Sequence, residues 1–321
     1  MNVNPFTEIY NELNAPHEDE HYFSYPICID VELTNYCNLR CMMCPTGIGA
    51  SVRDKGFMSD SVYYKLLRDI SGHRTGLRFI RWGEPTLHPK MCEYIAAAKS
   101  DGHLCHMNTN GITLTGGMIE ELLRSGLDSI KFSFQGVDEG SYEQMRQGGS
   151  FSTLVSNIEK LHGLRVGGKP YIYITTTIVE GDEAKIPGFI KMISGFCDSM
   201  NVGYTMFDHL DIGNSGLDEA QKALFSELQQ RQNKNKQRVQ HCAEVFGKLS
   251  VDWDGKVTAC CTDYDCEMYV GDINTDTVQS IFNNDNINRY RDAIRNKLFD
   301  TIPKCHTCYN YMSYPLPAYQ A

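Results

Sequence analysis

The chain has no run approaching 18 consecutive apolar residues, so nothing in it reads as a membrane-spanning helix. It has no surplus of basic charge: 30 Lys and Arg stand against 40 Asp and Glu, a formal net charge of −10. That balance argues against a protein that tracks nucleic-acid phosphates. The opening residues, Met1-Asn2-Val3-Asn4-Pro5, lack the basic and apolar regions of a secretory signal, so a cytoplasmic location is expected. Disorder and collagen-like repetition are excluded too, because 41% of the 321 residues are apolar and 22% charged. That length suits one large domain, or one medium and one small.

What the chain does have is cysteine. There are 13, an odd number, so complete internal pairing is ruled out. In a reducing compartment such a count points to metal or redox chemistry rather than disulfides. Three crowd into Cys37–Cys44, and six lie in the last quarter, at 242, 260, 261, 266, 305 and 308.

Residues 1–26 read as a polar N-terminal extension carrying Glu18-Asp19-Glu20. Residues 27–212 alternate short apolar runs with helical patterns. Strands are expected at 27–33, 77–82, 103–108, 128–135, 171–179 and 201–207, with helices at 61–70, 89–100, 117–125, 152–164 and 183–196. Strands and helices in strict alternation imply a parallel sheet, hence the α/β class. Six such units suit a partial (β/α)6 TIM-like barrel, with its chemistry at the C-terminal ends of the strands. Residues 213–240 read as a linker dominated by a polar helix over 218–240. Residues 241–321 read as a small domain: a β-hairpin over 249–261, turned at Asp254-Gly255, plus helices at 278–282 and 287–298.

Cys37, Cys41 and Cys44 follow the first strand directly, spaced C-x3-C-x2-C. Three thiolates on one loop can hold three irons of a cubane and leave the fourth open to a chelating ligand. Zinc sites more often repeat C-x2-C, though the cysteines alone leave zinc or an incidental grouping open. The segment resembles the signature of the radical S-adenosylmethionine (SAM) enzymes, C-x3-C-x-φ-C, with Met43 as the apolar φ. Gly83-Glu84-Pro85, ending the second strand, looks like that family's GEP motif, although Trp82 stands where many members have another glycine. Asn108-Thr109-Asn110-Gly111, ending the third, resembles its TNG segment. Ser133 and Gln135 on the fourth strand, and more weakly Thr175 and Thr177 on the fifth, match positions that touch SAM.

The resemblance implies a [4Fe–4S] cluster on Cys37, Cys41 and Cys44, with SAM chelated to the open iron. It implies Met43, Gly83, Glu84, Pro85, Asn108, Asn110, Ser133, Gln135 and Thr175 as SAM contacts. In such enzymes an electron cleaves SAM to a 5′-deoxyadenosyl radical, which abstracts hydrogen from the substrate. A low-potential donor such as flavodoxin or ferredoxin would supply the electron. Taken singly, Glu84 is as readily a surface charge and Asn108 a turn residue.

Cys242, Cys260 and Cys305-x2-Cys308 resemble the SPASM auxiliary-cluster domain in its shorter twitch form. That implies one auxiliary [4Fe–4S] cluster on these cysteines, while a zinc ribbon would use the same thiolates. Cys261 and Cys266 are left over, as packed thiols, an exchanged ligand or a hydrogen-atom donor. Cys28, Cys92, Cys105 and Cys197 fall in apolar patterns and read as core.

Substrate groups are expected at strand ends: Arg81, His106, Tyr173, Asp208, His209 and the 211–215 loop. Arg81 is singled out because a cation beside the barrel mouth suits a phosphate or carboxylate. The preferred substrate is a small polar molecule, a carbohydrate or aminocyclitol, oxidised at a carbinol with the auxiliary cluster accepting an electron. The cysteine spacing resembles that of 2-deoxy-scyllo-inosamine dehydrogenase-type enzymes. The alternatives are epimerisation with Cys261 or Cys266 as hydrogen donor, peptide modification, and a zinc-stabilised scaffold without activity. Peptide modification is less expected, because only 36 residues precede Cys37.

Overall fold

The sheet is parallel because every link between its first six strands carries a helix or long loop back across the outer face. The computed structural model describes residues 3–15, 23–239 and 242–311. Strands β1 (Cys28–Val31), β2 (Gly76–Phe79), β3 (Cys105–Thr109), β4 (Ser129–Ser133), β5 (Tyr171–Ile178) and β6 (Ser199–Tyr204) lie side by side in that order, all parallel. They stand where the apolar runs put them. Along β4, Ile130 and Phe132 are fully buried in the core under the helices, so Lys131 and Ser133 face the barrel lumen.

Local chemistry sets the helix ends. The helix Asp60–Ile70 starts at Ser59, whose side chain accepts from the Val62 N–H at 3.3 Å. Its buried residues Val62, Tyr63, Leu66, Leu67 and Ile70 recur at helical spacing and form one inward stripe.

Three features differ from the sequence reading. First, the N-terminal extension contains helix α1 (Thr7–Asn14), which buries Ile9 and Leu13, with Phe6 beside them, against Cys28. It closes the N-terminal end of the barrel, where the Phe6 ring lies 5.5 Å from that of His106. The acidic Glu18-Asp19-Glu20 stretch lies outside the described residues. Second, the expected long linker helix is shorter, Glu219–Gln232. It gives way to β7 (Lys236–Arg238), which pairs antiparallel with β11 (Tyr309–Tyr311), because that pairing satisfies the backbone beside Cys308. Gln240 lies outside the described residues.

Third, the C-terminal hairpin is not a separate layer. Its strands are β8 (Lys248–Val251) and β9 (Lys256–Thr258), followed by β10 (Tyr269–Asp272). β8 pairs in parallel with β1, matching Asp30 to Ser250, so β8, β9 and β10 extend the barrel sheet to nine strands. Val251, Val257 and Ile281 share one core with Ile29 and Val31. Gly255 turns the hairpin at φ +94°, a conformation that glycine adopts without strain.

Candidate active site

A cleft of about 210 Å³ opens at the C-terminal ends of β1 to β4. It is lined by Cys37, Cys41, Met43, Cys44, Gly83, Glu84, Asn108, Asn110 and Ser133, nine of the residues expected from the sequence. Arg81, Trp82 and Arg146 also line it.

The cysteine loop is held from both sides. Cys41 pairs antiparallel with Arg146, and the Met42 N–H donates to the Met145 carbonyl at 3.0 Å. Thr46 Oγ1 donates to the Trp82 carbonyl at 2.5 Å, tying this loop to the one that carries Gly83. Gly83 presses backbone to backbone on Thr34: a Cβ there would sit inside the Thr34 carbonyl oxygen's contact radius. Gly47 lies across Cys41 in the same way.

Burial pushes the Cys37 and Cys41 thiols up to about 11. Specific donors oppose that. The Leu39 N–H lies 3.5 Å from Cys37 Sγ, Asn110 Nδ2 is 3.9 Å from it, and Arg146 Nη1 is 3.8 Å from Cys41 Sγ. Such donors favour the thiolate that a metal requires. Arg146 is a site residue that the sequence reading missed. It lies 105 residues from Cys41, and no local spacing marks it.

Glu84 is buried, and its burial raises the carboxyl above the usual range while four hydrogen bonds pull it down. Oε1 accepts from Thr86 Oγ1 (2.6 Å), Thr109 Oγ1 (2.7 Å) and the Thr86 N–H (3.2 Å). Among the described residues, Oε2 accepts only from the Asn110 N–H, at 2.8 Å. Glu84 thereby fastens the end of β3 to the GEP turn and keeps a lone pair of Oε2 for a cationic ligand. Arg146 Nε is buried with no partner among the described residues. Three thiols, a spare carboxylate lone pair and an unpaired guanidinium N–H on one wall fit an iron–sulfur cluster that carries a zwitterionic ligand.

Some expected contacts fall elsewhere. Pro85 is buried as the first residue of a short turn over Pro85–Leu87. Gln135 spends its amide on Thr177, Thr205 and Arg146. Thr175 does not line the cleft either. Arg81 lines the cleft but spends most of its side chain elsewhere. Its side chain is 1% exposed and turned into the seam with the hairpin, where Nη2 meets Asp252 Oδ1 at 2.5 Å. It also donates to the Asp263 carbonyl at 3.0 Å and the Cys260 carbonyl at 3.3 Å. Both terminal nitrogens are thus engaged in the seam, while Nε has no partner among the described residues. The aromatic wall beside it is Trp82, stacked on His209 with centroids 5.8 Å apart. Burial pushes His209 down to about 4.

The second cysteine set gathers on β7, β11 and the hairpin. The Val239 N–H reaches the Cys308 carbonyl at 3.4 Å, and Cys305 and Cys261 both bear on Cys242 electrostatically. Cys261 bears likewise on Cys308, so one spare cysteine sits among the expected ligands. Cys266 is apart, facing Asp252, Asp263, Arg81 and Arg53, with burial raising its thiol to about 12. Neither Cys261 nor Cys266 lines the cleft. A single tetrahedral zinc draws its sulfurs to about 3.8 Å from one another. Among the described residues, only Asp30, Glu244 and Cys261 bring three ligand atoms within 4.8 Å, and those carboxylates are paired with Lys248.

The model of the Radical SAM superfamily matches residues 31–190, and that of the SPASM iron–sulfur cluster-binding domain matches residues 242–309. Mycofactocin maturase MftC of Mycobacterium ulcerans (strain Agy99) is 28% identical over 142 residues, 44% of this chain and 38% of that one. The chain spans between 29% and 51% of the curated relatives it matches. The solved structure of BtrN in complex with AdoMet and 2-DOIA superposes with a TM-score of 0.58 at 16% identity, covering 91% of this chain and 94% of that one. Streptococcus suis SuiB bound to precursor peptide SuiA gives 0.63 at 12% identity, covering 89% and 71%. At such identities the likeness is one of fold. No helix among the described residues is long and apolar enough to cross a membrane. The domains bring with them SAM, a [4Fe–4S] cluster and auxiliary iron–sulfur ligation. The chain belongs to the radical SAM superfamily and carries a SPASM domain after its barrel.

Proposed function

We propose that this chain is a radical SAM enzyme that abstracts hydrogen from a residue of a peptide presented at the barrel mouth. The observation that supports the radical chemistry best is the cleft, where three thiols, the GEP turn and the ends of β3 and β4 meet. Cys37, Cys41 and Cys44 would hold three irons, and Met43, Gly83, Glu84, Asn108, Asn110 and Ser133 would hold SAM. A cluster and SAM held by these residues would supply radical chemistry for hydrogen abstraction.

The chain's own residues do the positioning. Glu84 Oε2 offers its spare lone pair to an ammonium, and Asn110 Nδ2 supports Cys37 while bonded to Asn38 Oδ1 at 2.8 Å. Trp82 lines the cleft and stacks on His209, with ring centroids 5.8 Å apart, on the side toward the hairpin. Cys242, Cys260, Cys305 and Cys308 would hold one auxiliary [4Fe–4S] cluster on the far side of that wall.

A peptide is favoured because the relatives include a maturase, and a structural neighbour holds a precursor peptide. A small polar substrate is the second reading, favoured by the likeness to BtrN over 94% of that chain. Epimerisation by Cys261 or Cys266 has less support, since neither thiol lines the cleft. The test is deuterium transfer into 5′-deoxyadenosine, under anaerobic conditions with SAM and dithionite. Label is expected from side-chain-deuterated peptides. Label from a deuterated aminocyclitol instead would move the proposal to the second reading.

A further inference from the structure

The barrel interior beneath the cleft holds more positive than negative charge. Lys131 points into the lumen from β4, on the same face as Ser133, which lines the cleft about 7 Å further along the strand. In register it stands beside Asn108 of β3 and Tyr173 of β5. Asp30 of β1, Arg78 of β2, His106 of β3, Lys248 of β8 and Cys261 bear on it or are borne on by it.

The pairings can be followed group by group. Asp30 takes Arg78 through both oxygens, at 2.6 and 2.8 Å, and Lys248 approaches it at 3.4 Å. Glu244 takes Lys248. His106 is neutral, pushed down to about 3 by burial, and its ring is bonded to Ser129 and Asn108. Two carboxylates are therefore consumed by two cations, and Lys131 is the third. Among the described residues its ammonium has neither an ion-pair nor a hydrogen-bond partner. It is half-buried and has the lumen on one side and the core on the other. Burial and the neighbouring cations push its amine down to about 8.

A lysine that only covers apolar surface would extend its head to bulk water. This ammonium instead faces Arg78 and Lys248 with no carboxylate of its own, and an incoming anion offsets that like-charge repulsion. We propose that Lys131 binds an anionic oxygen group of the substrate, a carboxylate or a phosphate, in the lumen directly below the cleft. The inference rests on the cleft's being the radical site, and it deepens that reading by requiring an acidic group on the substrate. A peptide meets the requirement with an Asp or Glu side chain or its terminal carboxylate, and a phosphorylated small molecule meets it otherwise.

The test is thermal unfolding of the full chain with its clusters reconstituted, at constant ionic strength, with chloride replaced by acetate or by inorganic phosphate. The wild type is expected to show a saturable rise in Tm with anion. Lys131→Met is expected to have a higher Tm in chloride alone and no anion-dependent rise. A rise with acetate only identifies a carboxylate site, and a rise with phosphate a phosphate site. A wild type indifferent to both anions, a variant that keeps the rise, or a variant less stable in chloride would overturn the proposal. The readout requires no SAM cleavage, so failure to form 5′-deoxyadenosine would overturn the radical reading separately.

Discussion

Arg81 Nη2 lies 2.5 Å from Asp252 Oδ1, with both side chains almost wholly buried in the seam between barrel and hairpin. The same guanidinium holds the carbonyls of Cys260 and Asp263, and the next residues along the chain are Trp82 and Gly83 of the cleft. One side chain thus links the turn that carries Cys260 to the turn that carries Gly83. Arg81→Met leaves Asp252 with Arg53 alone, which is 3.0 Å away. Breaking a buried pair from one side costs about 3–5 kcal/mol. Urea unfolding should show that loss, together with lower iron content. A change under about 1 kcal/mol would place the pair's contribution in the surface range.

Gly83→Ala drives a methyl into the Thr34 carbonyl, and Gly47→Ala drives one into Cys41. Backbone rather than a flexible side chain blocks each, so a cost of about 1–3 kcal/mol is expected for either. Gly47→Ala should lower iron incorporation, read by iron assay after reconstitution. Gly83→Ala should weaken SAM binding, read by calorimetry on the reconstituted chain.

Glu84→Gln replaces a carboxylate that accepts four hydrogen bonds. Whichever way the amide sits, its NH2 faces the Asn110 N–H or the Thr86 N–H. An unsatisfied buried donor costs about 1–3 kcal/mol. The variant should unfold at lower urea and bind SAM more weakly, whereas a purely exposed glutamate would give neither effect.

Acid should destabilise the chain through its buried histidines. His209 is held at about 4 and His106 at about 3, both below 6.5, because burial disfavours the charged ring. As pH falls below 6.5, the unfolded chain takes up protons that the folded chain refuses, so stability falls. The slope approaches about 1.4 kcal/mol per pH unit for each histidine. Urea unfolding of the metal-free chain at pH 7, 6 and 5 measures it, and His106→Asn should flatten the slope.

Much of the barrel was legible because its strands are apolar and separated by amphipathic helices. Ile130, Phe132, Ile172 and Ile174 mark strands whatever their partners are. The three cysteines and Gly83-Glu84 were legible because their chemistry depends on local spacing. The pairing of β8 with β1 was not, since residues 248 and 28 are joined by nothing local. Arg146 was hidden for the same reason. Arg81 showed its charge but not its direction, which is set by Asp252, 171 residues away. The Phe6-Ile9-Leu13 stripe of α1 was overlooked inside a polar segment.

The central claim is that the Cys37–Cys41–Cys44 cleft generates a radical from SAM. Anaerobic reconstitution, reduction with dithionite and mass spectrometry for 5′-deoxyadenosine test it directly. The wild type should bind about eight irons and form 5′-deoxyadenosine, while Cys44→Ala should keep about four irons at the second site and form none. No 5′-deoxyadenosine from the wild type, or undiminished formation by Cys44→Ala, would contradict the account.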